Sequence, residues 1–136
     1  MLAIVEAIAY LAFARVVTLL LPMRRFAWLL GTQGNASPSE IDAVQLSNAA
    51  QLGRTIESVA RRMPFRAVCL EQAISARLML NRRRIASTLY LGLLRDREER
   101  SARGTRDAAH AWVRVGSLHV VGGQDVSDFI VVSSFS

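Results

Sequence analysis

The spacing of apolar residues changes once along this chain, and that change limits what it can become. As far as Arg83 the apolar side chains recur at helical spacing, and from Ala86 onward they come in short strand-like runs. A helix buries a stripe that repeats about every 3.6 residues, whereas a strand buries a face or a short continuous run. Helices first, then strands separated by tight turns, predict an α+β fold in which the sheet is antiparallel. The 136 residues suffice for one domain with one core. We therefore expect a single domain over residues 1–136, with a helical part over 1–62 and a helix-on-sheet core over 63–136.

Residues 1–21 are almost wholly apolar but are interrupted by Glu6 and Arg15, and Pro22 ends the run. The interruptions leave uncharged runs shorter than the roughly 20 residues that span a bilayer. A helix burying Ile4, Ile8, Leu11, Ala12 and Val16 is expected, with peripheral membrane contact through that face and Arg24/Arg25 as the alternative. A short helix over 24–30 should stop at Gly31. The next helix is expected over 38–62, with Ser37 as N-cap, Pro38 at the first helical position and Glu40 completing a capping box. Its apolar points are Ile41, Val44, Leu52, Ile56 and Val59, and Gly53 weakens its middle. A further helix over 69–83 ends in Arg82-Arg83-Arg84, where cations suit the negative end of the helix dipole.

Strands are expected over 86–94, 108–115 and 118–122, with a short one over 129–132 and a charged connection over 95–107. Gly116-Ser117 reads as a two-residue hairpin turn. That register pairs Val115 with Leu118, Arg114 with His119 and His110 with Gly123. Asp125 then shares the face of His110 on the diagonal, and Asp128 takes the opposite parity.

Cys69 is the only cysteine, so no internal disulfide can form, and a reducing, cytoplasmic setting is the plain expectation. The chain carries a net charge of +6, and all 17 of its basic residues are arginine. The Arg82–Arg84 run is expected to be a solvated helix end, so no nucleic-acid partner is indicated. There is no CxxC, HExxH or GxGxxG motif and no lysine for a phosphate loop, so no metal and no cofactor is expected.

What remains is a thiol at a helix start and a histidine on a later strand. A helix N-terminus stabilises a thiolate, a histidine takes its proton, and a third group orients the imidazole. Cys69 as nucleophile, His110 as base and Asp125 as orienting acid fit the chain order. His119 is the rival imidazole; His110 is preferred because Ala109 and Ala111 leave room beside it.

The run MPFRAVCLEQAISARLMLNRRRIASTLYLG over 63–92, then Ala109-His110-Ala111-Trp112 and Val-Val-Gly-Gly, resembles the protease half of the lasso-peptide B protein. The apolar amino-terminal helix ending in Leu-Pro-x-Arg-Arg is also similar, so the likeness covers nearly the whole chain. It implies a transglutaminase-like, papain-related core and a cysteine peptidase that removes the leader from a ribosomally made lasso precursor. It also implies partners: the precursor's leader region, a separate leader-recognition protein and an ATP-using lasso cyclase. Two positions depart from the family pattern. Arg84 stands where glycine is usual, and Gly122 stands where the acid is expected, about a dozen residues after the histidine. Two other functions remain open: a transglutaminase-like acyltransferase, in which the same residues pass the thioester to an amine, and a non-enzymatic membrane-surface or scaffold protein, suggested by the apolar first helix and the net charge of +6.

Overall fold

A computed structural model describes residues 2–22, 25, 28, 31, 34, 41–64, 69–96, 98, 102, 109–123 and 126–136. Its elements are α1 (Leu2–Leu20), α2 (Ala43–Ala60), α3 (Cys69–Arg82), β1 (Thr88–Leu94), β2 (Ala109–Val115), β3 (Leu118–Val121) and β4 (Phe129–Phe135). The fold is α+β. The sheet has four strands in the order β3-β2-β1-β4, with every pair antiparallel. α2 and α3 cover one face of the sheet, and α1 packs on α2 and α3 from the far side. Leu89, Ala111, Val113, Val115 and Phe135 from the sheet meet Leu52, Ile56, Ile74, Met79 and Leu80 from the helices in one core.

α1 buries a different stripe from the one expected. Ala7, Leu11, Ala14 and Val17 face inward, while Ile4, Ile8 and Val16 are exposed. The expected face would have carried Arg15 into the middle of the buried stripe. Instead the helix is rotated so that its two charges flank the buried stripe. Arg15 reaches Glu71 of α3 at 3.0 Å, and Glu6 reaches Arg83 at 2.7 Å and Arg82 at 3.2 Å. These ties lie at opposite ends of α3, so α1 and α3 run antiparallel. The residues that interrupt the apolar run are thus its fastenings.

α2 begins at Ala43 and not at residue 38. Asp42 is its N-cap, its side chain accepting the Val44 N–H at 2.7 Å. Ser37, Pro38 and Glu40 lie outside the described residues, as does most of the expected helix over 24–30 and of the connection over 95–107. Gly53 sits buried in the middle of α2 without breaking it. A Cβ there would collide with the carbonyl of Val120 on β3, so the glycine is where helix and sheet touch backbone to backbone.

The hairpin forms as the sequence predicts at its turn. Gly116 has φ of 57°, which suits the first central residue of a type II′ turn, and Val115 pairs with Leu118 and Arg114 with His119. The register then slips, because Val113 pairs with Val121. One extra residue in β3 is a β-bulge, and it moves every later partner by one. Hairpin counting therefore fails beyond Arg114, and with it the parity that separated Asp125 from Asp128. β4 is longer than expected and does not pair with β3, the strand before it. The chain passes the free edge of β3 and returns to that of β1, after a 3-10 turn at Val126–Asp128 held by the Arg95 N–H on the Asp128 carbonyl at 2.8 Å.

Candidate active site

Cys69 is the first residue of α3, where backbone N–H groups and the positive end of the helix dipole favour an anion. The thiol is half-buried. Its surroundings act on it in two directions. Burial pushes its pKa up; the hydrogen bond with His110, the N–H groups of Ala111 and Leu70, and the charge of the imidazole pull it down. The downward influences win, and the thiol lies below the ordinary cysteine value.

β2 brings His110 to this thiol because β3 leaves the ladder early. The last β2–β3 pair is Val113 with Val121, which frees the edge of β2 at Ala111 and His110 to face the start of α3. His110 Nε2 donates to the carbonyl of Gly122 at 2.6 Å. A carbonyl only accepts, so Nε2 carries the proton and Nδ1 is left as the atom that faces sulfur. The position twelve residues after His110, where the likeness leads one to expect an acid, thus supplies an acceptor after all, from its main chain. Gly122 has φ of 69°, and a Cβ on it would press on the Ala111 carbonyl and lie 3.2 Å from Trp112 Cα. Only glycine takes this turn without strain.

The imidazole is also held by rings. Its centroid lies 5.7 Å from the Trp112 ring and 5.0 Å from that of Phe129, and Trp112 stacks in turn on Tyr90 at 5.6 Å. Gly92, paired with His110 across β1 and β2, makes room for this: a Cβ there would stand 2.9 Å from the Trp112 ring. Arg114 closes the far end of the row, its Nε donating to the Tyr90 hydroxyl at 3.1 Å.

Cys69 and His110 open onto a cleft of about 310 Å³ lined by Glu57, Arg61, Gln72 and Gly122 besides themselves. Gln72 is one helical turn after Cys69, so its amide shares the thiol's side of α3. Glu57 and Arg61 form the opposite wall from α2. The arrangement has a nucleophile, a base and an oriented tautomer, which suffices for acyl transfer through a thioester.

Of the residues expected at the site, Cys69 and His110 meet. Asp125 lies outside the described residues. Asp128 is exposed at the turn before β4, and His119 is exposed opposite Arg114 and does not line the cleft. Sequence reasoning missed Gly122, Phe129, Gln72, Glu57 and Arg61. Gln72 had a usable signal in its spacing from Cys69, and the Gly122-Gly123 pair marked an unusual turn; nothing in the sequence pointed α2 at the cleft.

No curated protein and no solved structure matches the chain. A family profile does, over residues 12–134, which runs from the second half of α1 to the last residue but one of β4. That family is described as the transglutaminase-like superfamily, whose members are generally cysteine-dependent enzymes, peptidases and acyltransferases among them. A helix-borne cysteine meeting a strand-borne histidine accords with that description, and the chain belongs to the transglutaminase-like superfamily.

Proposed function

We propose that this protein is a cysteine peptidase that removes the leader from a lasso-peptide precursor. The observation that carries the reading is the Cys69–His110 pair, with its thiol pKa held low at the start of α3. Family membership supports cysteine chemistry in general. The leader-peptide substrate rests on the resemblance of the 63–92 and 109–112 segments to the lasso B protease.

In this mechanism Cys69 is deprotonated by His110 Nδ1 and attacks the carbonyl at the leader–core junction. The backbone N–H groups at the start of α3 face the developing oxyanion. The Nδ1 proton passes to the departing amine of the core peptide, leaving the leader as a thioester on Cys69. His110 then takes a proton from water, which attacks the thioester and frees the leader. Through both steps the Gly122 carbonyl keeps the Nε2 proton in place, so that Nδ1 alone shuttles. The freed amine is the group a separate ATP-using cyclase would join to a side-chain carboxylate. A separate leader-recognition protein would deliver the precursor.

Incubating precursor with the protein, a leader-binding partner and water labelled with oxygen-18 tests this. One label in the carboxylate of the released leader is expected, with no product from Cys69→Ala and almost none from His110→Ala. Leader mass shifted by an added amine would make the protein an acyltransferase instead. Independently of substrate, iodoacetamide should alkylate Cys69 with an inflection below the usual thiol pH. A lowered pKa means that thiolate is already abundant on the acid side of that value, and His110→Ala should move the inflection upward.

A further inference from the structure

The outer face of α1 has no charged residue on it. Leu2, Val5, Ile8, Val16, Leu19 and Leu20 are all exposed along it, and Val16, one turn from its end, is 52% exposed. The helix is about 28 Å long at 1.5 Å per residue. Both of its charges, Glu6 and Arg15, are turned to its rims and paired with α3. A continuous apolar face of this length is more than scattered surface leucines and marks an interaction site.

The charges around it say what kind. At one end Arg82 and Arg83 hold Glu6, and Arg84 follows, exposed. Among the described residues that end carries three cations against one anion. At the other end Arg25 follows three residues after Pro22, exposed and with its N–H on the Pro22 carbonyl at 2.9 Å. Both ends of the face are therefore basic. Two copies stacked on this face, parallel or antiparallel, would bring arginines against arginines. An anionic bilayer surface has no such conflict: it takes the apolar face between its acyl chains and the guanidinium groups at its headgroups.

We propose that α1 is a peripheral membrane-docking helix that lays its outer face on bilayers containing anionic phospholipid. The proposal stands independently of the peptidase reading.

The full chain, shown to be monomeric by light scattering, is sedimented with sucrose-loaded vesicles. One set is phosphatidylcholine alone, and the other is phosphatidylcholine mixed with phosphatidylglycerol. Binding to the anionic set, released by high salt, is expected. Val16→Glu and Leu19→Glu, both at exposed positions, should each weaken it by at least about tenfold, with circular dichroism and Cys69 alkylation unchanged. Arg25→Gln and Arg84→Gln should each weaken it about fivefold. Failure to sediment with either vesicle set overturns the proposal and leaves the face to a protein partner. Equal binding to both sets, or undiminished binding by Val16→Glu, also overturns it, as does a concentration-dependent dimer that Val16→Glu dissociates.

Discussion

The two halves of the Cys69–His110 pair are held in place by different physics. The thiol sits on α3, and α3 is fixed by charge: Arg15 and Thr18 of α1 both bond the buried Glu71 two residues from Cys69, at 3.0 and 3.2 Å. Further along, buried Arg77 donates to Ser87 at 2.9 Å and to Asn81. The imidazole sits on β2 and is fixed by shape: two rings, two glycines and one main-chain carbonyl. Charge ties tolerate little loss of a partner, because a buried ion left alone is costly. Shape ties fail by displacement, which moves the base without unfolding the chain. The thiol side should therefore break as stability and the imidazole side as catalysis.

The largest expected effect tests the thiol side. Arg15→Met removes the guanidinium from a buried carboxylate that Thr18 still bonds, and with Arg15 29% exposed the loss is expected at the low end for a broken buried pair, about 3 kcal/mol. Urea unfolding should show that loss, and the double variant Arg15→Met/Glu71→Leu should recover most of it. An Arg15→Met protein as stable as the parent would mean that the pair holds nothing, and the contrast between the two halves would lose its first term.

Gly122→Ala attacks the imidazole side. It forces a side chain into a left-handed turn, at about 1–2 kcal/mol, and pushes against the Ala111 carbonyl. The carbonyl that holds Nε2 should shift, and displacement of a catalytic group by about 1 Å can cost about a hundredfold in rate. Turnover should fall by that order while the protein stays folded by circular dichroism. Unchanged turnover would show that Gly122 does not orient the base.

These two sides differed in how legible they were. Cys69 and His110 could be read because a helix start and an alternating strand are sequence patterns. Gly122 could not, because its contribution is a carbonyl, which every residue has; only its turn demands glycine. The bulge in β3 falls at Val120, whose carbonyl meets Gly53 of α2, and a contact between segments so distant leaves no local pattern to read. α1 misled for a related reason. Its bulkiest stripe reads as the buried one, whereas Ala7 and Ala14 let the helix pack on α3 and the rim charges set its rotation.

A smaller effect is expected at Asp125. Nε2 already donates to Gly122, so a carboxylate is not needed to fix the tautomer. Asp125→Asn should lower turnover by less than about tenfold, under about 1.4 kcal/mol of barrier. A hundredfold loss would show that the carboxylate reaches His110 and that the carbonyl is a secondary support.

The smallest effect sharpens the contrast at the joint between the halves. α3 ends in a Schellman motif: the Ile85 N–H bonds the Leu80 carbonyl at 3.0 Å, the Arg84 N–H bonds that of Asn81 at 3.0 Å, and the Leu80 and Ile85 side chains are both buried. Arg84 is the left-handed residue of that motif, with φ of 58°, which is why glycine is the usual occupant. Arg84→Gly removes the cost of a Cβ in this region but gives back some of the gain by loosening the unfolded chain. A net stabilisation of about 0.5–1 kcal/mol is expected in urea unfolding. The backbone already adopts the glycine conformation, so neither Cys69 nor His110 should move and turnover should not change. A stabilised variant with altered turnover would mean that this joint sets the distance between thiol and imidazole, and the two halves could no longer be treated as separately held.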